Sequence, residues 1–187
     1  GAALTGAAGR IWDSPRRKAW RRRTDCSINA PRMTDAPYHG HFVGPEHRFA
    51  LRVYFEDTDF SGVVYHANYL RYFERARSDM LRVAGIDQAA AHAHGTGVYA
   101  VAAMDLKFRS PAHFDDALLI RSHVTDVRAA SCHIAQGVYR GDVLLCEAMV
   151  TAAFLSPGGR PTRQPKDWLA IYKALMPGAD PKGRPVT

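Results

Sequence analysis

Ser131-Cys-His-Ile-Ala-Gln-Gly-Val-Tyr-Arg140-Gly141-Asp142-Val143-Leu-Leu-Cys-Glu-Ala-Met-Val150-Thr-Ala-Ala-Phe-Leu155 reads as two β-runs joined by a two-residue turn. Gly141-Asp142 is a good pair for a tight hairpin. The Arg140-Gly141-Asp142 tripeptide is accounted for as that hairpin's tip. Strands joined this closely are antiparallel neighbours, because parallel neighbours need a long crossover. The run Val143–Leu155 is apolar on both faces and is expected to be central, and Pro157-Gly158-Gly159 stops it.

The same grammar extends upstream. Val98–Arg109 ends in clean alternation, with Met104, Leu106 and Phe108 on one face and Asp105, Lys107 and Arg109 on the other. A turn from Ser110-Pro111 to Asp116 leads to Ala117–Arg128, where Leu118, Ile120 and Val124 oppose Arg121, His123 and Thr125. Before these strands, Tyr69, Phe73, Ala76, Met80 and Ala84 recur at three-to-four spacing. That spacing predicts a helix over Ala67–Ala84, with Arg71, Arg75, Asp79 and Arg82 mostly elsewhere on the wheel and Gly85 as its C′ residue. Arg48–Tyr54 reads as a first strand. A short helix follows Pro165, with Trp168, Ile171, Tyr172 and Leu175 on one face. One strand, one long helix and then several hairpin-linked strands make the class α+β: an antiparallel sheet of about five strands with a helix packed on it.

The net charge of +7 is local. Residues 1–32 hold eight basic side chains against Asp13 and Asp25, and the remaining 155 residues are nearly balanced. The expected organisation is therefore a basic, disordered arm over 1–37, a folded domain over 38–160, and a short helix with a flexible tail over 161–187. Met33 opens a plausible domain start. A basic arm alone does not make a nucleic-acid binder, and none is expected. No run approaches a membrane span, so membrane contact is expected to be peripheral at most. Cys26, Cys132 and Cys146 form neither a disulfide framework nor a zinc pattern, which fits a reducing cytoplasm. His92 and His94, two apart, point to different faces of a helix and bind no metal together.

Chemistry concentrates between the first strand and the helix, in Val53-Tyr-Phe-Glu-Asp57-Thr-Asp59-Phe-Ser-Gly62-Val-Val-Tyr65-His66-Ala-Asn68-Tyr69. This junction can set a carboxylate beside unbonded helix N-terminal amides, the pairing needed to hydrolyse an activated carbonyl. Gly62 suits a positive φ or a close substrate approach. Asn68 is read either as a pocket residue or as the cap of a helix starting one residue later. Glu56 and Asp57, taken alone, read as solvated loop acids.

The run Arg52-Val53, Thr58-Asp59, Gly62-Val63-Val64-Tyr65-His66 and Tyr69, followed by Leu70-Arg-Tyr-Phe-Glu-Arg-Ala-Arg77, resembles hotdog-fold acyl-CoA thioesterases of the 4-hydroxybenzoyl-CoA thioesterase family, most of all its Tol–Pal-associated branch. The likeness covers roughly residues 48–160. It implies a hotdog fold, a long helix wrapped by the sheet, and hydrolysis of acyl-CoA to free acid and CoA without a cofactor or metal. It implies Asp59 as nucleophile or general base and the amide of Tyr65 or His66 as oxyanion donor. Gly62, Val63, His66, Asn68 and Tyr69 are then expected to line the substrate pocket. Lys107, Arg109, Arg160 and Arg163 are candidates for the CoA phosphates. The resemblance further implies a homodimer or homotetramer with active sites at the dimer interface, in the cytoplasm or peripheral at the inner membrane. Acyl carrier protein is a second candidate partner.

Two other readings compete. Asp57-Thr-Asp59, with Lys107 and Asp115-Asp116, vaguely resembles a magnesium phosphatase, but that fold needs helices between the strands of residues 98–155. A non-catalytic acyl-binding or acyl-carrier-binding scaffold at the cell envelope would use the same pocket.

Overall fold

The computed structural model describes residues 37–178. The charge run of the arm, Cys26 and the tail from residue 179 lie outside the described residues. Strands β1 (His41–Val43) and β2 (Glu46–Arg52) precede the long helix α1 (His66–Val83) and the short α2 (Gln88–Ala93). Strands β3 (Val98–Phe108), β4 (Ala117–Val127), β5 (Ser131–Arg140) and β6 (Val143–Leu155) follow, and α3 (Lys166–Ala174) comes last. One six-stranded sheet runs in the order β1-β2-β4-β5-β6-β3, and every pair is antiparallel.

The hairpin reading holds in register. Arg140 pairs with Val143, and Gly141 carries the positive φ (58°) that the tip requires. β6 lies between β5 and β3, inside the sheet as expected. The antiparallel order excludes the phosphatase topology. The sixth strand, β1, was not read from the sequence; it is three residues long and turns back through Gly44 at φ 59°.

Helix α1 lies on the sheet through Tyr69, Tyr72, Phe73, Ala76 and Met80, all buried, against Leu118, Ile120, Val124, Ile134, Val138, Leu145 and Val150. Each buried Val, Leu, Ile, Phe or Met side chain among these contributes about 1.5–3 kcal/mol. The helix ends in a Schellman motif: Ile86 N–H donates to Leu81 O at 2.8 Å and Gly85 N–H to Arg82 O at 3.1 Å, with Gly85 at φ 85°. Ala84, expected to extend the apolar stripe, is instead the helix C-cap and half-buried.

Asp79 departs from the wheel reading because it is buried. Its Oδ2 accepts the Gly40 N–H at 2.7 Å and lies 3.0 Å from His47 Nε2, so it ties the segment before β1 to the fourth turn of α1. A Cβ on Gly40 would collide with that carboxylate and with the Arg48 carbonyl. A second buried polar group bridges helix and sheet: Arg77 donates to Gln136 Oε1 at 2.7 Å, and Gln136 donates to Ser122 Oγ at 2.9 Å. Asp87 starts α2 by accepting the Ala90 N–H at 2.9 Å, an N-cap that the Ala/His-rich text masked. The far end of the core is closed by α3, where Trp168 stacks on Tyr99 at 5.9 Å.

Candidate active site

Asp57 secures the exit from β2. Its Oδ2 accepts the Tyr54 N–H at 2.8 Å, and its carbonyl accepts both the Tyr65 N–H at 2.9 Å and the Asn68 side-chain amide at 2.8 Å. It is buried, so the solvated-loop reading fails for Asp57, while Glu56 is exposed. Five residues then reverse the chain. Asp59 N–H donates to Val63 O at 2.9 Å, Gly62 N–H donates to Asp59 O at 3.0 Å, and Gly62 takes φ 79°. This is the bonding of a type I turn with a left-handed glycine after it, and Asp at the first position with Gly at the fourth is its residue preference. A Cβ at Gly62 would meet nothing within 4 Å, so its positive φ is what requires glycine in this chain. The strands of this small hairpin pair Thr58 with Val64, and Val63 in turn pairs with His113 of the loop before β4.

The turn exposes Asp59 and orients it. Oδ1 accepts the Ser61 N–H at 2.8 Å and the Ser61 hydroxyl at 2.5 Å. The Ser61 hydroxyl, then its backbone N–H, hold the Asp59 carboxyl below the usual aspartate range, and His66 adds a smaller attraction. Oδ2 has no hydrogen-bond partner among the described residues.

Helix α1 begins at His66, one residue earlier than expected, with Tyr65 as a cap that makes no side-chain bond. The Tyr65 amide is spent on Asp57 O, which corrects its expected role as an oxyanion donor. The amides of His66 and Ala67 have no acceptor among the described residues. Asn68 does not cap: its side chain points its amide away to Asp57 O and is buried. Tyr69 is also buried, and its hydroxyl accepts the Ala112 N–H at 3.2 Å, buttressing the loop behind the hairpin. Gly62 and His66 are exposed and Val63 is half-buried.

The basic candidates separate. Lys107 and Arg109 stand at the Phe108 end of β3, near Tyr69, whose ring meets Phe108 at 5.5 Å; Arg109 pairs with Glu147 at 2.5 Å. Arg160 adjoins Pro161, which bridges to Leu155, and Leu155 pairs with Val98 at the other end of the strand. The two ends lie about 33 Å apart at the rise of a strand, so Arg160 and Arg163 do not share the Asp59 end of their own protomer. A cleft of about 450 Å³, lined by Glu74, Arg77, Ser78, Leu81, Tyr99 and Tyr172 among others, does not reach Asp59. It starts about 12 Å along α1 from the helix start.

Cys132 and Cys146 are buried and unpaired, and burial pushes their thiols up to about 11 and about 12. No helix among the described residues is long and apolar enough to cross a membrane. Nor do three His, Cys, Asp or Glu side chains gather there in a metal-holding group.

One antiparallel sheet carrying one long helix is the architecture of the hotdog-fold thioesterases as a class. The chain belongs to the thioesterase-like superfamily, whose family model matches residues 53–172. It is similar to the acyl-CoA thioester hydrolase YbgC of Escherichia coli (strain CFT073), 38% identical over 128 residues that span 67% of this chain and 95% of the relative. It is similar to the acyl-CoA thioesterase YbgC of Haemophilus influenzae at 34% identity, covering 68% of this chain and 94% of that one. The crystal structure of a probable thioesterase from Bartonella henselae superposes with a TM-score of 0.61 at 38% identity, covering 64% of this chain and 99% of the other.

Proposed function

We propose that the protein hydrolyses acyl-CoA thioesters, with Asp59 as nucleophile or general base and the backbone amides of His66 and Ala67 as the oxyanion donors. The observation that carries this reading is the Asp59 turn: one carboxylate oxygen is anchored, the other is unengaged, and the chain passes within seven residues to a helix start with two amides unspent. The names of the E. coli and H. influenzae relatives support the substrate class.

Either route closes chemically. As nucleophile, Asp59 Oδ2 adds to the thioester carbonyl and the C–S bond breaks to release CoA thiolate; water then hydrolyses the mixed anhydride to the acid and the original carboxylate, and the second proton of that water goes to the thiolate. As base, Asp59 takes a proton from water while the hydroxide adds, and the tetrahedral intermediate expels the thiolate, which receives the proton. In both, negative charge develops on the carbonyl oxygen. Amides at a helix start meet it at little reorganisation cost, and the helix dipole adds to them. Gly62, Val63 and the exposed His66 ring form the near wall, and Lys107 and Arg109 are the phosphate candidates at this end.

The site of one protomer is open, and β3 leaves an eleven-residue edge unpaired among the described residues. An edge of that length is ordinarily covered. The reading therefore includes a homodimer, or a tetramer of such dimers, in which a second copy completes the pocket. Acyl-carrier-protein thioesters are a second substrate candidate. The buried thiols support a reducing compartment.

A panel of thioesters from acetyl-CoA to palmitoyl-CoA, with aryl-CoA and an acyl-carrier-protein thioester, tests the substrate class. Asp59→Asn is expected to lose about 10²–10⁴-fold in turnover with fold and assembly intact. Asp57→Asn should be much milder, because the amide oxygen can still accept the Tyr54 N–H. Near-normal hydrolysis by a folded Asp59→Asn protein would sink the assignment. An unreactive panel with retained acyl-CoA binding would make the protein a binding module.

A further inference from the structure

We propose that Ser61 is a positioning residue: it occupies Oδ1 of Asp59 with two donors and leaves Oδ2 as the reacting oxygen. The inference rests on the thioesterase reading and goes one residue beyond it.

A carboxylate on an exposed turn can rotate about its terminal torsion, which has broad wells. The turn itself supplies one restraint, because an aspartate at its first position commonly accepts the amide two residues on. The Ser61 N–H makes that bond at 2.8 Å. A residue without a hydroxyl would complete the turn equally well, so the second bond, from Ser61 Oγ at 2.5 Å, is not required to build it. Both donors fall on the same oxygen. Two bonds from one residue to one oxygen fix the plane of the carboxylate as well as its charge, and they single out Oδ2 for the substrate.

Anchoring also holds the proton off. A hydroxyl donating to a carboxylate favours the anion, and the anion is the reactive form by either route. The charged and titratable groups on the surrounding elements are Glu56 and Asp57 of the preceding turn, His66 of α1, and His113, Asp115 and Asp116 of the loop behind Val63. Asp57 spends its carboxylate on the Tyr54 N–H, Asp115 pairs with Arg52 at 2.8 Å and Asp116 pairs with Arg140 at 2.6 Å. His66 is the neighbour that shares in holding Asp59 anionic.

The test compares Ser61→Ala and Ser61→Thr with the wild-type full chain. Ser61→Ala keeps the backbone donor and loses the hydroxyl. It is expected to lower kcat about three- to thirtyfold with KM within about twofold, the range for one charge-assisted bond at a solvent-reached site. It should also move the acid limb of the kcat profile upward. Ser61→Thr, which restores a hydroxyl, should recover most of both. His66→Gln in parallel identifies any part of the limb that belongs to His66. The Asp59 carboxyl is also titrated directly by carbon NMR in the wild type and Ser61→Ala, which needs no turnover. An Asp59 titration unchanged in Ser61→Ala overturns the proposal whatever the rate does. So does a change in KM alone, or a loss that Ser61→Thr fails to recover. A wild type inert toward every thioester would instead overturn the thioesterase reading, and the carboxyl titration would still decide the role of Ser61.

Discussion

Asn68 donates its side-chain amide to the main-chain carbonyl of Asp57 at 2.8 Å, across eleven residues and out of contact with water. The bond joins the end of the first sheet connection to the first turn of α1, with the Asp59 hairpin held between them. It also keeps the Asn68 side chain from folding back onto the helix amides. What looks in the sequence like a competitor for the oxyanion site is the strut that keeps the site's two halves in register.

Asn68→Ala should therefore cost about 1–3 kcal/mol, the range for leaving a buried polar partner unmet, and less if Tyr65 N–H satisfies Asp57 O alone. In a domain of this size that lowers Tm by several degrees. Turnover should fall with KM little changed, because the amides of His66 and Ala67 lose their fixed distance from Asp59. Thermal melts and steady-state kinetics on the same preparation check both effects.

His47 is fully buried, and burial holds its imidazole below the ordinary value of 6.5, although hydrogen bonding to Asp79 pulls the other way. The folded protein thus disfavours protonated His47, and the unfolded chain binds the extra proton. Stability should be constant above about pH 6.5 and fall as the pH drops below it, at up to about 1.4 kcal/mol per pH unit. Melts of wild type and His47→Gln between pH 7.5 and 5 measure it. Equal slopes for the two proteins would remove His47 as the cause.

Deleting residues 1–32 should leave folding, assembly and hydrolysis unchanged, since that segment has no apolar period able to join a core. Extending the deletion through residue 40 should not be silent. It removes the Gly40 N–H from Asp79, which leaves a buried carboxylate short of a donor. The shorter deletion matching the full chain in Tm, with the longer one melting lower, is the expected pattern.

Treatment with a strong chelator should leave the hydrolysis rate unchanged, and added Mg²⁺ should not be needed. The positive potential at the carbonyl oxygen is assigned to helix amides, which a chelator cannot remove. Activity abolished by chelation and restored by Mg²⁺ would reverse that assignment.

Local rules reach only as far as a few residues, and within that reach the sequence determined a great deal. Gly141-Asp142 sets a hairpin, Gly85 ends α1, and the spacing of Tyr69, Phe73, Ala76 and Met80 puts one helix face on a sheet. The Asp59–Gly62 spacing belongs to the same category, because a type I turn wants those two residues at its first and fourth positions. Burial of charge is different. Asp79 looks like a solvent-facing residue on the wheel until Gly40 and His47 arrive from 39 and 32 residues away. Asp57 looks like a loop acid until the helix start packs on its carbonyl, and nothing along the chain shows that Ala112 donates to the Tyr69 hydroxyl. Which first-turn amides stay unspent was likewise decided by tertiary structure. The Tyr65 N–H is lost to Asp57 O only because strand exit and helix entry are brought together in space, and no periodicity along the chain encodes that distance.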